Sequence, residues 1–502
     1  MITLYFKKIK PLDDLSETTS SSSESIETKI QKGNIKLTKD QTIALQELLD
    51  FITNPKRKAE KFYLLTGSAG TGKTFLVSYI YSVLKANYNI AFTASTNKAA
   101  NVLQATYESQ YTKEERDEKE DNKNTEVNFY TIHKFMNSSR GIDKNGETYF
   151  KFSEGKTGSK TADVVFVDEV SMIPEILAQQ LESIKKYRKV IFIGDRAQLP
   201  PVNEIESRIF SWQIKQSNLN EIVRYRNNIV KLADQLKNLI FHKKNISMKS
   251  CAGDGVWLYR KDEEWFKAYY SNTENSVLLA YTNDRVRLHN DTIRKHELRV
   301  KTGSKFETGE KIMFNNFYVA QSVDDDSKSI NCYTSFQVKI KSCKESIYPI
   351  KYDKILDTLT EALVNLGQSP DILKPFIAKL PNNIGIYYLV TEGDFVIINP
   401  IQYKKLNEQL EEVKNEFIKI KINFGDLVIR EFWTFYYEEL IDKFADITYG
   451  YAMTVHKSQG STYGRVFVDM EDIIKRNPKE RESYQCLYTA ITRASKEIHV
   501  FY

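Results

Sequence analysis

The stretch FYLLTGSAGTGKTFLV, residues 62–77, limits the fold more than any other part of the chain. A short apolar run ends at Gly67, a loop containing Gly70 follows, and Gly72-Lys73-Thr74 opens a segment with helical periodicity. Strand, glycine-rich loop and helix in this order curl backbone N–H groups and a helix N-terminus around phosphate. Gly67, Ser68, Gly70, Thr71 and Gly72 form the candidate ATP loop. Lys73 is expected to reach the β- and γ-phosphates, and Thr74 to bind Mg2+.

The runs NIAFTAS, DVVFVDE and KVIFIGD are short and apolar with little alternation, the pattern of strands covered on both faces. They predict an α/β fold with a parallel sheet. DVVFVDE brings Asp168 to the magnesium shell and Glu169 beside it as the base for an attacking water. GDRAQLPPV sets Gln198 on a loop after another strand, where its amide can sense the γ-phosphate. A second set, SVLLAYT, YGRVFVDM and EIHVFY, predicts a second α/β unit.

At 502 residues the chain has room for two to four domains. Residues 1–36 contain the acidic, Ser-rich run DDLSETTSSSSESIET and are expected to be a flexible tether. The first α/β unit is expected over 37–205, with a hairpin at about 139–156 turning at Asn145-Gly146. The second unit is expected over 206–300 and 441–502, split by a β-rich insertion over 301–440. No apolar run is long enough to cross a bilayer, and the N-terminus lacks the order of a secretory signal, so an intracellular, cytoplasmic protein is expected. The four cysteines lack zinc-knuckle spacing and are read as reduced thiols. A net charge of +6 admits a nucleic-acid partner without establishing one.

Taken in order, these motifs resemble helicases of superfamily 1, in the branch of RecD-type and Dda-type enzymes that move 5′-to-3′. The resemblance covers about Leu37 to Tyr502 and is strongest at 62–74, 164–172, 190–202, 448–469 and 487–494. It implies two RecA-like parallel-sheet domains, a β-hairpin inserted in the first and a small SH3-like insertion in the second. It also implies ATP and Mg2+ as cofactors, single-stranded and fork DNA as partners, and a monomer. Gln41 in LTKDQ is similar to the family's adenine-reading glutamine. Thr96 and Lys98 in TASTNKAA, Thr131 and His133 in TIHKF, and Thr454 and His456 in TVHKSQG resemble its strand-contacting residues. Gln459 and Gly460 would lie near the nucleotide. Arg493 in LYTAITRAS would be an arginine finger supplied by the second unit, with Arg224 in LNEIVRYR as its partner.

The hairpin, through Asn145, Gly146, Tyr149 and Phe150, would separate strands, although its turn DKNG carries no aromatic. Ile2, Tyr5 and Phe6 in MITLYFKKIK resemble the core of a sliding-clamp-binding peptide, which implies a clamp or single-strand-binding protein as partner. The residues leave open whether the strand is DNA or RNA, and whether the ATPase drives unwinding or gates a loader or scaffold.

Overall fold

A computed structural model describes residues 37–95, 100, 103–104, 128–136, 138–152, 162–183, 189–223, 227–243, 247–297, 305–325 and 327–502. The expected tether, the clamp-like peptide, Thr96, Lys98 and Arg224 lie outside the described residues. The chain divides into two compact units, one of 1–137, 155–285 and 454–502, the other of 138–154 and 286–453.

The first unit opens with α1 (Lys39–Thr53), started by a capping box in which Thr38 and Gln41 satisfy each other's backbone N–H groups. Strand β1 (Phe62–Gly67) runs into the glycine loop and α2 (Lys73–Leu84), followed by β2 (Ile90–Ala94) and β3 (Asn128–Thr131). After the hairpin strands β4 (Ser138–Ile142) and β5 (Thr148–Phe152) come β6 (Val164–Asp168), β7 (Lys189–Gly194) and β8 (Lys215–Leu219). The sheet has the order β3-β2-β6-β7-β1-β8, and every neighbouring pair is parallel. Because Tyr63 of β1 lies opposite Lys215 of β8, this sheet extends to Leu219, past the boundary expected at 205. Its strands bury both faces, as uniformly apolar runs require: Tyr63, Leu65, Phe92 and Ile191 pack in one core, Leu64, Val165, Val190 and Phe192 in another.

A second sheet begins with α3 (Asn228–His242), β9 (Val256–Tyr259), β10 (Ser276–Ala280) and α4 (Asn283–Glu297).

The second unit carries β11 (Lys311–Phe314), β12 (Tyr318–Ser322), β13 (Ser329–Cys332) and β14 (Gln337–Pro349), then α5 (Asp353–Asn365), β15 (Asn383–Thr391) and β16 (Phe395–Pro400). Helices α6 (Tyr403–Ile420) and α7 (Asp426–Phe435) and strand β17 (Ile447–Tyr449) complete it. The strands form one sheet, β13-β12-β16-β15-β14-β11-β17, with an apolar core of its own. The expected β-rich insertion is therefore present but carries much more helix than its texture suggested. Along α6, Leu406, Leu410, Val413 and Phe417 recur at helical spacing, and they bury against Leu359, Phe376, Phe432 and Trp433. Pairing of β17 with β11 extends the insertion beyond 440.

Hairpin β4–β5 belongs to this second unit, although its chain interrupts the first sheet. Asp143 Oδ1 accepts from the Asn145 and Glu147 N–H groups, both at 2.8 Å, and closes the turn. Gly146, at φ 75°, is buried with its Cα against the Trp433 ring.

After β18 (Ala452–Thr454), at whose last residue the first unit resumes, come β19 (Tyr463–Asp469), α8 (Glu480–Ile491) and β20 (Ala494–Phe501). The second sheet has the order β18-β10-β19-β20-β9, and its β10–β19, β19–β20 and β20–β9 pairs are parallel.

Candidate functional site

The glycine loop leaves β1 at a position where no side chain fits: a Cβ on Gly67 would stand 2.8 Å from the Leu219 carbonyl and from Thr71 Oγ1. Gly70 and Gly72 take φ 83° and 79°, the left-handed region open to glycine. The Lys73 ammonium folds back into the loop and donates to the Gly67 and Ser68 carbonyls at 2.8 and 3.0 Å. Thr74 follows on the first turn of α2 and faces the same cavity.

That cavity, about 350 Å³, is lined by Lys73 and Thr74 from the loop, Asp168 and Glu169 from the end of β6, and Gln198 from the loop after β7. Gly460 and Arg493 line it from the segments around the second sheet. Asp168 Oδ1 accepts from the Glu169 N–H at 2.7 Å, and Glu169 holds a left-handed backbone, φ 53°, which is costly for a side-chain-bearing residue. Burial pushes the Asp168 carboxyl up to about 7; the neighbouring Glu169 charge adds to the rise and Lys73 opposes it. Arg493 is buried, with Nε donating to the Thr489 carbonyl at 3.1 Å and Nη1 to the Ser461 carbonyl at 3.3 Å.

Gln198 Oε1, in the cavity wall, has no hydrogen-bond partner among the described residues, and neither have the two amide atoms of Gln459, the chain neighbour of the lining Gly460. Gln198 and Gln459 are only 5% and 6% exposed, so their desolvation goes unanswered without a polar ligand. The orphaned Gln198 oxygen, the retracted lysine and the open left-handed glycines suit a triphosphate with its cation. Thr74 and Asp168 have the hard oxygens that Mg2+ takes, and the ion would supply positive charge against the phosphate oxygens.

Gln41 lies against the glycine loop. Its Nε2 donates to the Thr71 carbonyl at 2.9 Å and its Oε1 accepts from Thr38 N–H at 3.0 Å, so both ends of the amide are engaged with the loop and the helix cap.

Residues that the motif reading did not single out join the two sheets at this cavity. Tyr488 on α8 donates to Asp195 Oδ2 at 2.8 Å and accepts from the Ala69 N–H at 3.3 Å. Thr489 Oγ1 accepts from Leu199 N–H at 3.0 Å, and Gln485 Nε2 donates to the Gln198 carbonyl at 3.1 Å. Tyr488 and Thr489 stand inside LYTAITRAS, where alternate faces of a helix reach different partners; periodicity alone does not say which face meets the loop.

Thr131 and Thr454 occupy matching places. Each ends an edge strand, β3 or β18, and caps a single helical turn by accepting from the N–H of Lys134 at 3.2 Å or Lys457 at 3.4 Å. The shared T-x-H-K pattern thus builds the same turn once in each sheet. Burial lowers the pKa of both His133 and His456.

The hairpin residues do not present a free tip. The Lys421 ammonium donates to the Asn145 side chain and, at 3.1 Å, to the Lys144 carbonyl, while Tyr437 OH donates to the Gly146 carbonyl at 2.6 Å. Tyr149 is an exposed aromatic, with its ring across Gly141; Phe150 stands on β5 opposite Arg140.

Comparison with known proteins agrees with this arrangement. Residues 55–204 match the model of an AAA domain, and 449–501 that of a UvrD-like helicase C-terminal domain. An uncharacterized protein of Acanthamoeba polyphaga mimivirus is 30% identical over 91% of this chain and 98% of its own. The RecBCD enzyme subunit RecD of Buchnera aphidicola subsp. Schizaphis graminum is 24% identical over 87% of this chain and 69% of its own. The ATP-dependent DNA helicase Pif1 of Campylobacter jejuni is 23% identical over 86% of each. The chain belongs to the RecD/Pif1-like branch of superfamily 1 helicases.

Among solved structures, the Pif1 helicase from Candida albicans superposes with a TM-score of 0.44 at 16% identity, over 93% of this chain and 94% of that one. As a RecD/Pif1-like chain it has the two parallel sheets expected, and among its described residues no helix is long and apolar enough to cross a membrane.

Proposed function

We propose that this RecD/Pif1-like chain is an ATP-dependent DNA helicase that moves 5′-to-3′ along a single strand and opens the duplex ahead. The observation that carries the reading is the single cavity in which Lys73, Asp168, Glu169 and Gln198 of the first sheet face Arg493 of the second. In this reading Lys73 and the loop N–H groups hold the β- and γ-phosphates, Thr74 and Asp168 hold Mg2+, and Glu169 takes the proton of the attacking water. Arg493 meets charge that develops at the γ-phosphate only in the transition state, so hydrolysis requires the two sheets to close on the nucleotide. Closure and reopening move the two T-x-H-K turns relative to each other. With Thr131 and His133 gripping the strand from one sheet and Thr454 and His456 from the other, that motion advances the strand. The hairpin β4–β5, held by its tip, stands as the barrier to the second strand, with Tyr149 as an exposed aromatic on it. DNA as the strand is supported by the relative named ATP-dependent DNA helicase Pif1, and the 5′-to-3′ direction rests on the resemblance of the motifs to the RecD-type and Dda-type branch.

The test is ATP-dependent opening of two otherwise identical duplexes, one with a 5′ single-stranded tail and one with a 3′ tail, beside a Lys73→Ala control. Opening of the 5′-tailed duplex alone, lost in the control, is expected. Opening of the 3′-tailed duplex alone refutes the polarity, and ATPase stimulated by RNA but not by DNA refutes the substrate.

A further inference from the structure

The phosphate loop is held by a second lysine that lies outside every motif described above. Lys237 on α3 donates from its ammonium to the Ser68 hydroxyl at 2.8 Å. Ser68 is buried, and its hydroxyl is the hydrogen-bond partner of Lys237 among the described residues. One helical turn earlier, Asp234 feels the same charge: burial raises its carboxyl, and Lys237 pulls it back down. Ser68 is thereby gripped from two sides, because its carbonyl accepts from Lys73 at 3.0 Å. The next residue, Ala69, is held through its N–H by Tyr488 of α8, and α3 packs along α8. Two neighbouring helices outside the first sheet thus hold two successive residues of its phosphate loop.

The two lysines face different fates when a nucleotide enters. Lys73 must leave the Gly67 and Ser68 carbonyls to reach a phosphate, whereas Lys237 holds a side-chain oxygen that no phosphate contact requires it to release. Immobilising a long lysine side chain costs entropy comparable to what a charge-assisted bond to a hydroxyl returns, so plain fold stability is a poor account of the contact. We propose that Lys237 is a positioning residue for ATP hydrolysis. Acting through Ser68, it keeps the first turn of the phosphate loop in register with α3 while Lys73 transfers to the triphosphate. The inference rests on the ATPase reading of the cavity.

Steady-state ATPase of the full chain, with saturating single-stranded DNA, tests it in Lys237→Ala, Lys237→Arg, Ser68→Ala and the Lys237→Ala/Ser68→Ala double variant. Lys237→Ala is expected to lower kcat by about ten- to a hundredfold, the range for loss of a charge-assisted hydrogen bond, while KM for ATP moves less than about threefold. Lys237→Arg, which keeps a donor and the charge, is expected to recover most of the rate. The double variant is expected to be no slower than the slower single one, because both remove the same contact. The nucleotide-free melting temperature of Lys237→Ala should match wild type, which separates positioning from folding. A kcat within about twofold of wild type in Lys237→Ala, or losses that multiply in the double variant, overturns the inference. A wild-type chain that hydrolyses no ATP overturns the proposed function, and the inference with it; a wild type that is active beside an equally active Lys237→Ala overturns the inference alone.

Discussion

Gly146→Ala is the substitution that separates hydrolysis from strand separation most cleanly. At φ 75° an alanine sits in the left-handed region, which costs about 1–2 kcal/mol for a residue with a Cβ. The new Cβ would stand 2.5 Å from Trp433 Cη2 and 2.6 Å from Cζ3. Trp433 has no room to retreat, since it is 1% exposed and packs edge-on against Phe417, Phe432 and Tyr436. Forcing such a core apart costs about 1–3 kcal/mol more.

Against this strain stand the contacts that dock the hairpin. Three hydrogen bonds reach its backbone: Tyr437 OH to the Gly146 carbonyl at 2.6 Å, and Lys421 Nζ and Trp433 Nε1 to the Lys144 carbonyl at 3.1 and 3.4 Å. Each contributes about 1 kcal/mol net. Ion pairs Arg140–Asp442, Lys144–Asp426 and Lys414–Glu147, at 2.9, 2.8 and 2.6 Å, involve exposed groups and add about 0–1 kcal/mol each. Strain of about 2–5 kcal/mol is therefore comparable with these polar contacts together, and the variant should loosen the docked hairpin. Unwinding of a 5′-tailed duplex is expected to fall at least about tenfold, with strand-stimulated ATPase within about twofold of wild type, because the hydrolytic residues lie in the other unit. Undiminished unwinding at normal ATPase would refute the role given to the docked hairpin.

Three further outcomes follow from the geometry. Arg493→Ala should lower stimulated kcat by about 10³–10⁵ while nucleotide binding, read by equilibrium titration, changes only a few-fold; Arg493→Lys should recover little, because one ammonium cannot reproduce the guanidinium fork. Tyr488→Phe strips one partner from both Asp195 and the Ala69 N–H, and ATPase assays should show a loss of about tenfold in kcat at near-normal thermal stability.

His499 should set an acid limit on stability. Burial lowers it to about 4, with Arg465 adding to the drop and Glu497 opposing it, whereas the unfolded residue titrates near 6.5. Its contribution is intact above the unfolded value and is lost as pH falls toward 4, because the unfolded chain then takes up a proton that the fold refuses. Between pH 7 and pH 5 denaturant titrations should show wild type losing about 2 kcal/mol more than His499→Gln, and equal losses would refute the assignment.

The nucleotide half of the site was legible because its chemistry is local. A phosphate loop needs glycine at fixed offsets, a lysine and a hydroxyl, and a strand before it, so spacing alone placed Gly67 to Thr74; uniformly apolar runs likewise announced strands buried on both faces. Tyr488 and Lys237 were not legible, since a tyrosine or lysine on an amphipathic helix looks the same whether it meets solvent or a loop far away in sequence. Gln41 shows another limit: its motif resembles a base reader, and only the fold shows its amide tied to the phosphate loop at Thr71 and to the helix cap at Thr38.

The order and register of both sheets were likewise decided by pairing. That is why β8 joins the first sheet and β17 the insertion, across boundaries that composition placed elsewhere. Docking of the hairpin was decided the same way. Asn145-Gly146 determined by itself that the chain would turn there, through glycine's access to positive φ. Where the turn lands depends on Trp433 and Tyr437, nearly three hundred residues onward. Only the packed helices bring those rings to it, because burial energy depends on which surfaces meet in space and not on their separation along the chain.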